Sequence, residues 1–338
     1  MNNWRGFSVA RNKKLVLVLG AGLCLAAALL SLWLGAAGLG FSQVLGALVR
    51  GPDGSLAGRI VWYARLPRTA ATLLSGAALA VSGCVIQGVL SNQLASPSII
   101  GVNAGAGLAV TVCCALGILS GWAIAISSFL GALAAALLVT LAAQKVGASR
   151  STVILGGVAV NSFLNALSQA ITSLVPDAAS LSADFRVGGF SSVSQSRLAP
   201  AAVLILVSLL FVFSLHNELD VMTLGEETAQ GLGMQVKKTR TILLILAALL
   251  AGASVSVAGL LGFVGLIAPH AARALVGNRS KWLLPTSALL GAGFVTACDL
   301  AARTLFTPYE LSAGILMSLI GGPFFLWLLL KKKGGRHG

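Results

Sequence analysis

The sequence predicts an all-α fold, a polytopic transmembrane helical bundle of about ten spans in a single domain covering residues 1–338. Three observations predict it. Hydrophobic residues make up 57% of the chain and charged residues only 9%, against about 25% charged in a soluble domain. No Asp, Glu, Lys or Arg occurs between Arg68 and Lys145, a stretch of 76 residues with room for about three spans of ~20 residues. Lys and Arg gather at the ends of apolar runs rather than on one polar face. The net charge of +14 therefore reads as a set of topology signals, not as a nucleic-acid surface. The alternating ten-residue strands of an outer-membrane barrel are absent.

The first apolar run, 15–37, follows Arg11, Lys13 and Lys14 as a signal peptide would. It is longer than the ~7–15 residues of a signal-peptide core, and many more runs follow, so it is read as a retained span. The next runs are 69–90, 97–119, 122–143, 152–174, 199–215, 241–261, a short 263–277, 282–302 and 311–330. Breaks at Ser91 to Pro97, Gly117 to Gly121, Pro176, Asn278 to Lys281 and Thr307-Pro308 separate them, as Gly, Pro and Asn clusters should. Gly101 and Gly105, and again Gly117 and Gly121, have the small-xxx-small spacing that lets helices approach closely.

With the N-terminus inside, sixteen of the 23 basic residues fall on inside segments and seven outside. That bias predicts that both termini and the segment 216–240 are cytoplasmic. Every lysine lies inside. The seven outside residues, Arg50, Arg59, Arg65, Arg68, Arg186, Arg197 and Arg303, are all arginine, which points to a use other than topology.

The fifth run carries a polar stripe. Asn161, Asn165, Ser168, Gln169 and Thr172 recur at one helical face. Interhelical hydrogen bonding, at ~0.6 kcal/mol per contact, and a water-accessible pathway both account for it.

Between the sixth and seventh runs lies HNELDVMTLGEETAQGLGMQVKKTR, residues 216–240, with four of the nine acidic residues. Leu224 and Gly225 precede Glu226-Glu227, which suits a helix start because carboxylates meet exposed N–H groups there. Gly231 and Gly233 end that helix after about two turns. A solvated loop and a short helix shown to a soluble partner both fit these residues.

Catalytic chemistry is not expected. No GxxxxGK[ST] loop occurs, so the chain has no nucleotide site of its own. His270 is the one histidine within a span and has no Cys, Asp or Glu nearby, which favours a structural hydrogen-bonder over a metal ligand. Asp299 is the one carboxylate inside a span, and Arg303 at i+4 favours an ion pair over a proton relay. The five cysteines (Cys24, Cys84, Cys113, Cys114, Cys298) lie in apolar runs without CxxC spacing and read as buried hydrophobes. No metal or cofactor is expected.

Several stretches together resemble the FecCD-type permeases. They are Arg65-Leu66-Pro67-Arg68 running into TAATLLSGAALAVSGCVIQGVLSNQLASPSIIGVNAGAG, then LGEETAQGLGM, GFVGLIAPHAARALVG, LLPTSALLGAGFVTACDLAART and ELSAGILMSLIGGPFFLWLLLKKK. The resemblance covers Ala64 to Lys333 in order. The chain departs from the pattern at Asn92-Gln93, where Asn-Pro is usual, and at Leu311-Ser312, where Leu-Pro is usual. The resemblance implies a non-catalytic permease subunit of a type II ABC importer with ten spans, for iron–siderophore complexes, haem or cobalamin. It implies a second permease subunit, a cytoplasmic ABC ATPase and an extracytoplasmic substrate-binding protein as partners. Residues 224–233 would then couple to the ATPase, and Arg65, Arg68 and Arg303 would accept glutamates of the binding protein. An ion-coupled secondary transporter is the competing class; it would place ionisable ion sites at the midplane in repeated halves, and one carboxylate without an internal repeat does not match that.

Overall fold

Each expected span falls on a helix in the computed structural model, which describes residues 12–35, 37–145, 150–307 and 309–333, with backbone only at 150, 327–329 and 331–333. Arg5, Arg11, Pro308, Arg336 and His337 lie outside the described residues. The helices are α1 (Lys13–Trp33), α2 (Phe41–Arg50), α3 (Leu56–Ile60), α4 (Leu66–Val89), α5 (Val102–Ala115), α6 (Gly121–Lys145), α7 (Arg150–Leu174) and α8 (Pro176–Val187). They continue with α9 (Gln195–Ser214), α10 (His216–Thr223), α11 (Glu226–Gly231), α12 (Val236–Ala258), α13 (Val264–Val276), α14 (Ser280–Thr304) and α15 (Ala313–Lys333). No strand occurs among the described residues.

The helix ends follow local chemistry. The Asn12 side chain accepts the Leu15 N–H and starts α1. Pro176 opens α8 from its first position, where a missing N–H costs nothing. Two pieces differ from expectation. The run 97–119 yields only a 14-residue helix, because Pro97–Ile100 forms a 3₁₀ turn and Gly101 has φ +90°. Segments read as outside loops hold α2, α3 and α8; α3 runs through a π-helical turn, Val61–Arg65, straight into α4.

Among the described residues, seven helices are long and apolar enough to cross a membrane, and α5, α13 and the apolar part of α15 are shorter. Thirteen residues of α13 span about 20 Å, less than a ~30 Å hydrocarbon core. By length and composition, seven of the ten expected runs are membrane-length helices among the described residues and three are shorter.

Helix α4 is the hub, packed by α12, α13 and α14, with nearly all of Ala78 to Val89 buried. Glycine makes these approaches possible. A Cβ on Gly76 would strike the Gly291 carbonyl of α14, and one on Gly83 the Gly265 backbone of α13. Gly105 meets Gly131 of α6 in the same way, as the Gly101–Gly105 spacing predicts. The Gly117–Gly121 spacing does not mark a helix crossing: Gly117 sits in a turn at φ +72° with open space around it, and Gly121 faces only the Arg197 side chain. The cysteines are free and buried or half-buried, as expected.

Candidate functional site

Three groups of residues stand out, and the first is an arginine cluster. The π-helical turn before α4 places Arg65 at the C-terminal end of α1, where its Nη1 donates to the carbonyls of Leu32 (2.9 Å) and Trp33 (2.6 Å). Those carbonyls lack helical partners, and a cation there also meets the negative end of the helix dipole. Arg68, one turn on, forks onto Asp299 of α14, with Nε 3.0 Å from Oδ2 and Nη2 3.0 Å from Oδ1. Its Nη1 reaches Glu310 Oε2 at 3.0 Å. Arg303 donates from Nη2 to the Ser31 carbonyl and hydroxyl of α1, and its Nε lies 3.6 Å from Asp299 Oδ2.

The expected Asp299–Arg303 pair is therefore present but secondary. The better geometry belongs to Arg68, 231 residues away in sequence. Asp299 is fully buried, and Arg65 and Arg303 are each only 5% exposed. Arg65 Nη2 and Arg303 Nε are buried donors without an acceptor. A Cβ on Gly35 would stand 3.2 Å from a nitrogen of each, so the chain after α1 lies directly over both. The three arginines singled out by sequence as outside thus converge, and with them come Asp299, expected at Arg303 but bonded best to Arg68, and Glu310, which sequence proximity did not connect to them.

The second group is the segment 216–240, which forms two short helices rather than a loop. Gly225 at φ +113° precedes α11, whose first turn carries Glu226 and Glu227, and Gly233 at φ +82° follows its end. The two glutamates differ. Glu226 bonds Arg240 of α12 at 2.9 Å, and Arg240 is itself buried. Glu227 is exposed. Leu219, Met222 and Ala229 are buried beneath the helices, and Leu219 fits against Gly88 of α4. Asp220 Oδ1 accepts the Ser280 N–H at 2.8 Å, tying α10 to the start of α14. Leu224 and Leu232 point outward, 60% and 64% exposed.

The third group is the α7 stripe, which the structure splits. Asn161 donates to the Ser98 carbonyl at 2.8 Å. Ser168 is buried against Thr111 of α5, and Thr172 bonds back to its own helix. Asn165 and Gln169 are exposed. His270 packs edge-on against Phe324, and no cluster of three metal-ligating side chains occurs among the described residues. Sequence reasoning missed Arg240, which reads as a topology charge, and Gln87. Gln87 is a buried amide on α4 that donates to the Gly265 carbonyl and accepts from Arg273; a polar residue in an apolar run was its only signal.

A glycine-packed helical bundle with seven membrane-length helices among its described residues, no nucleotide loop and a short helix pair between two of its spans has the form of a multi-pass membrane permease. The chain belongs to the FecCD transport family, whose sequence model matches residues 23–331. It is 36% identical over 271 residues to the Fe(3+)-citrate import system permease protein YfmE of Bacillus subtilis, covering 80% of this chain and 81% of that one. It is 37% identical to the iron(3+)-hydroxamate import system permease protein FhuB of the same organism, covering 95% and 84%. A solved structure described as an inward-facing conformation of a metal-chelate type ABC transporter superposes with a TM-score of 0.84 at 30% identity, covering 94% of this chain and 99% of that one. Permeases of this family are non-catalytic membrane subunits of ABC importers, and ATP is hydrolysed on a partner chain.

Proposed function

We propose that this chain forms the translocation pathway of a bacterial ABC importer for ferric siderophore complexes, in the plasma membrane with both termini cytoplasmic. A second permease subunit, a cytoplasmic ATPase and an extracytoplasmic binding protein complete the assembly. The names of the relatives, which carry ferric citrate and ferric hydroxamates, support the cargo; haem and cobalamin are the other arms of an uptake panel in a strain lacking the chain. Uptake that follows haem or cobalamin alone would replace the siderophore assignment.

One observation carries the coupling role: two leucines, Leu224 and Leu232, stand out in water at either end of a short helix that is firmly seated underneath. Exposed apolar side chains on a rigid, polar-rimmed support suit a partner's groove. Glu226 serves by holding α11 onto Arg240, while Glu227 remains available to the partner. Leu224→Asp with Leu232→Asp is expected to cut co-purification with the ATPase at least tenfold while the permease stays folded. Glu226→Lys should act through the Arg240 pair and Glu227→Lys more weakly, by about 0.3–1 kcal/mol of helix-start charge. Normal ATPase binding by the double leucine variant would remove the coupling role from this segment.

The arginine cluster is proposed as the docking point for binding-protein carboxylates. Glu310, with 41% of its side chain exposed against 14% for Arg68, is the partner that an incoming carboxylate can displace. Along α7, Asn165 and Gln169 make no hydrogen bonds and would be costly against lipid, which supports a wet pathway or subunit seam. Single cysteines at these two positions, in a background lacking the native five, should react with a water-soluble maleimide in the assembled importer. Ser168→Cys should not, because the site is packed. Equal labelling of all three would end the pathway assignment for this face.

A further inference from the structure

Arg186, in the last turn of α8, is held in a way that no other arginine among the described residues shares. Its Nη2 donates to the hydroxyls of Thr111 on α5 (2.7 Å) and Ser168 on α7 (2.6 Å). Its Nε donates to Ser182 on α8 at 3.4 Å. All three hydroxyls are buried, and Thr111 and Ser182 are themselves anchored to carbonyls of their own helices. The cradle therefore fixes the plane of the guanidinium from three helices at once.

What the cradle lacks is a counter-charge. All nine carboxylates lie among the described residues, and none is within salt-bridge distance of Arg186, Asp184 and Asp177 of α8 included. Hydroxyl dipoles orient a cation without neutralising it. The carbonyl end of α8 offsets part of the charge, which accounts for the position in the last turn but not for three converging hydroxyls. Nη1 is left without a bond, and the side chain is exposed. Ser168 lies six residues before the end of α7, about 9 Å below it at 1.5 Å per residue. A cation held against two membrane helices without a carboxylate partner is a candidate for an ion or substrate path. Asn165 and Gln169, on the same helix as Ser168, are exposed.

We infer that Arg186 is a binding site for a carboxylate carried by the cargo, and that it biases the pathway toward carboxylate-bearing, anionic ferric chelates over neutral ones. With Nε and both Nη2 hydrogens committed to the hydroxyls, Nη1 is the free donor, and its N–H groups can give a charge-assisted hydrogen bond to a carboxylate oxygen of the cargo. This rests on the permease reading. The test uses the complete importer, with its ATPase and binding protein, in proteoliposomes. It compares ⁵⁵Fe delivered as ferric citrate, an anionic chelate with carboxylates, and as ferrichrome, a neutral hydroxamate.

The expected result is that Arg186→Gln lowers the ratio of ferric citrate to ferrichrome uptake at least tenfold, with Arg186→Lys in between. Gln169→Glu leaves the hydroxyl cradle untouched and adds an exposed carboxylate next to Ser168 in the chain; it should lower the same ratio, which keeps the test decisive if Arg186→Gln does not assemble. A ratio unmoved by Gln169→Glu and by whichever Arg186 variants assemble overturns the inference, as does an equal loss of both chelates, which marks a purely structural cradle. A wild-type importer that carries only ferrichrome also overturns it while leaving the siderophore assignment standing. One that assembles with its ATPase but carries no ferric chelate overturns both.

Discussion

Asp299→Ala is expected to destabilise the protein by about 3–5 kcal/mol, the cost of removing one partner from a buried ion pair. Asp299 is fully buried and is the only carboxylate shared by Arg68 and Arg303. Without it two guanidinium groups, one on α4 and one on α14, face each other with Glu310 as their nearest compensation. The loss should also reach α1, because Arg303 in turn holds the Ser31 carbonyl and hydroxyl. Thermal unfolding of the purified permease should shift strongly, and yield should fall. Glu310→Gln breaks the outer, half-exposed arm of the same cluster and should cost no more than ~1 kcal/mol, as exposed pairs do. If the two variants are equally stable, Asp299 is not the centre of the cluster. By the same reasoning Arg68→Glu cannot be a clean docking probe, since it sets a second carboxylate against Asp299; the docking role is better tested by exchanging charges at Glu310 and on the binding protein.

Gly83→Val should be still more damaging, with little folded protein recovered. A Cβ at Gly83 would overlap the carbonyl oxygen, carbonyl carbon and Cα of Gly265. All of these are backbone, so no side chain can swing away, and relief requires α4 and α13 to move apart. Overpacking costs about 1–3 kcal/mol where a core can yield, and here it cannot yield locally. Separation would also break the Gln87 bond to the Gly265 carbonyl, one turn further along the same contact. Gly22→Ala is the control. Nothing lies within 4 Å of its added Cβ in α1, so alanine's better helix propensity, up to ~1 kcal/mol, should leave stability equal or slightly higher. Normal yield of Gly83→Val would mean that α4 and α13 do not make this close approach.

The arginine cluster shows how far sequence reading reaches. Arg65, Arg68 and Arg303 were recognisable because the sequence predicts every lysine on the opposite side of the bilayer. The pairing of Asp299 with Arg68 was not, because Asp299 comes within reach of Arg68 only when α14 lies along α4 through the Gly76–Gly291 crossing. In the segment 216–240, glycine and acidic residues announced the α11 helix correctly. Neighbouring residues on a helix point about 100° apart, so adjacent glutamates could not share a role; which one turned inward depended on where α12 placed Arg240. The stripe on α7 was a true periodicity, yet a period says only which residues share a face. The neighbours on α5 and α8 decided that Ser168 is packed while Asn165 and Gln169 are open.

What the sequence determined by itself was everything set by solvent and by local backbone chemistry. Long apolar runs must be helical in lipid because each backbone group needs an internal partner. Charges mark the run ends, and Gly and Pro mark the breaks. What only the tertiary structure decided was every pairing between distant segments: Arg68 with Asp299, Glu226 with Arg240, Asp220 with Ser280, Arg186 with three hydroxyls. Those pairings depend on helix rotation and depth, which close packing at glycine crossings sets to within an ångström or so, and no single stretch of sequence contains that information.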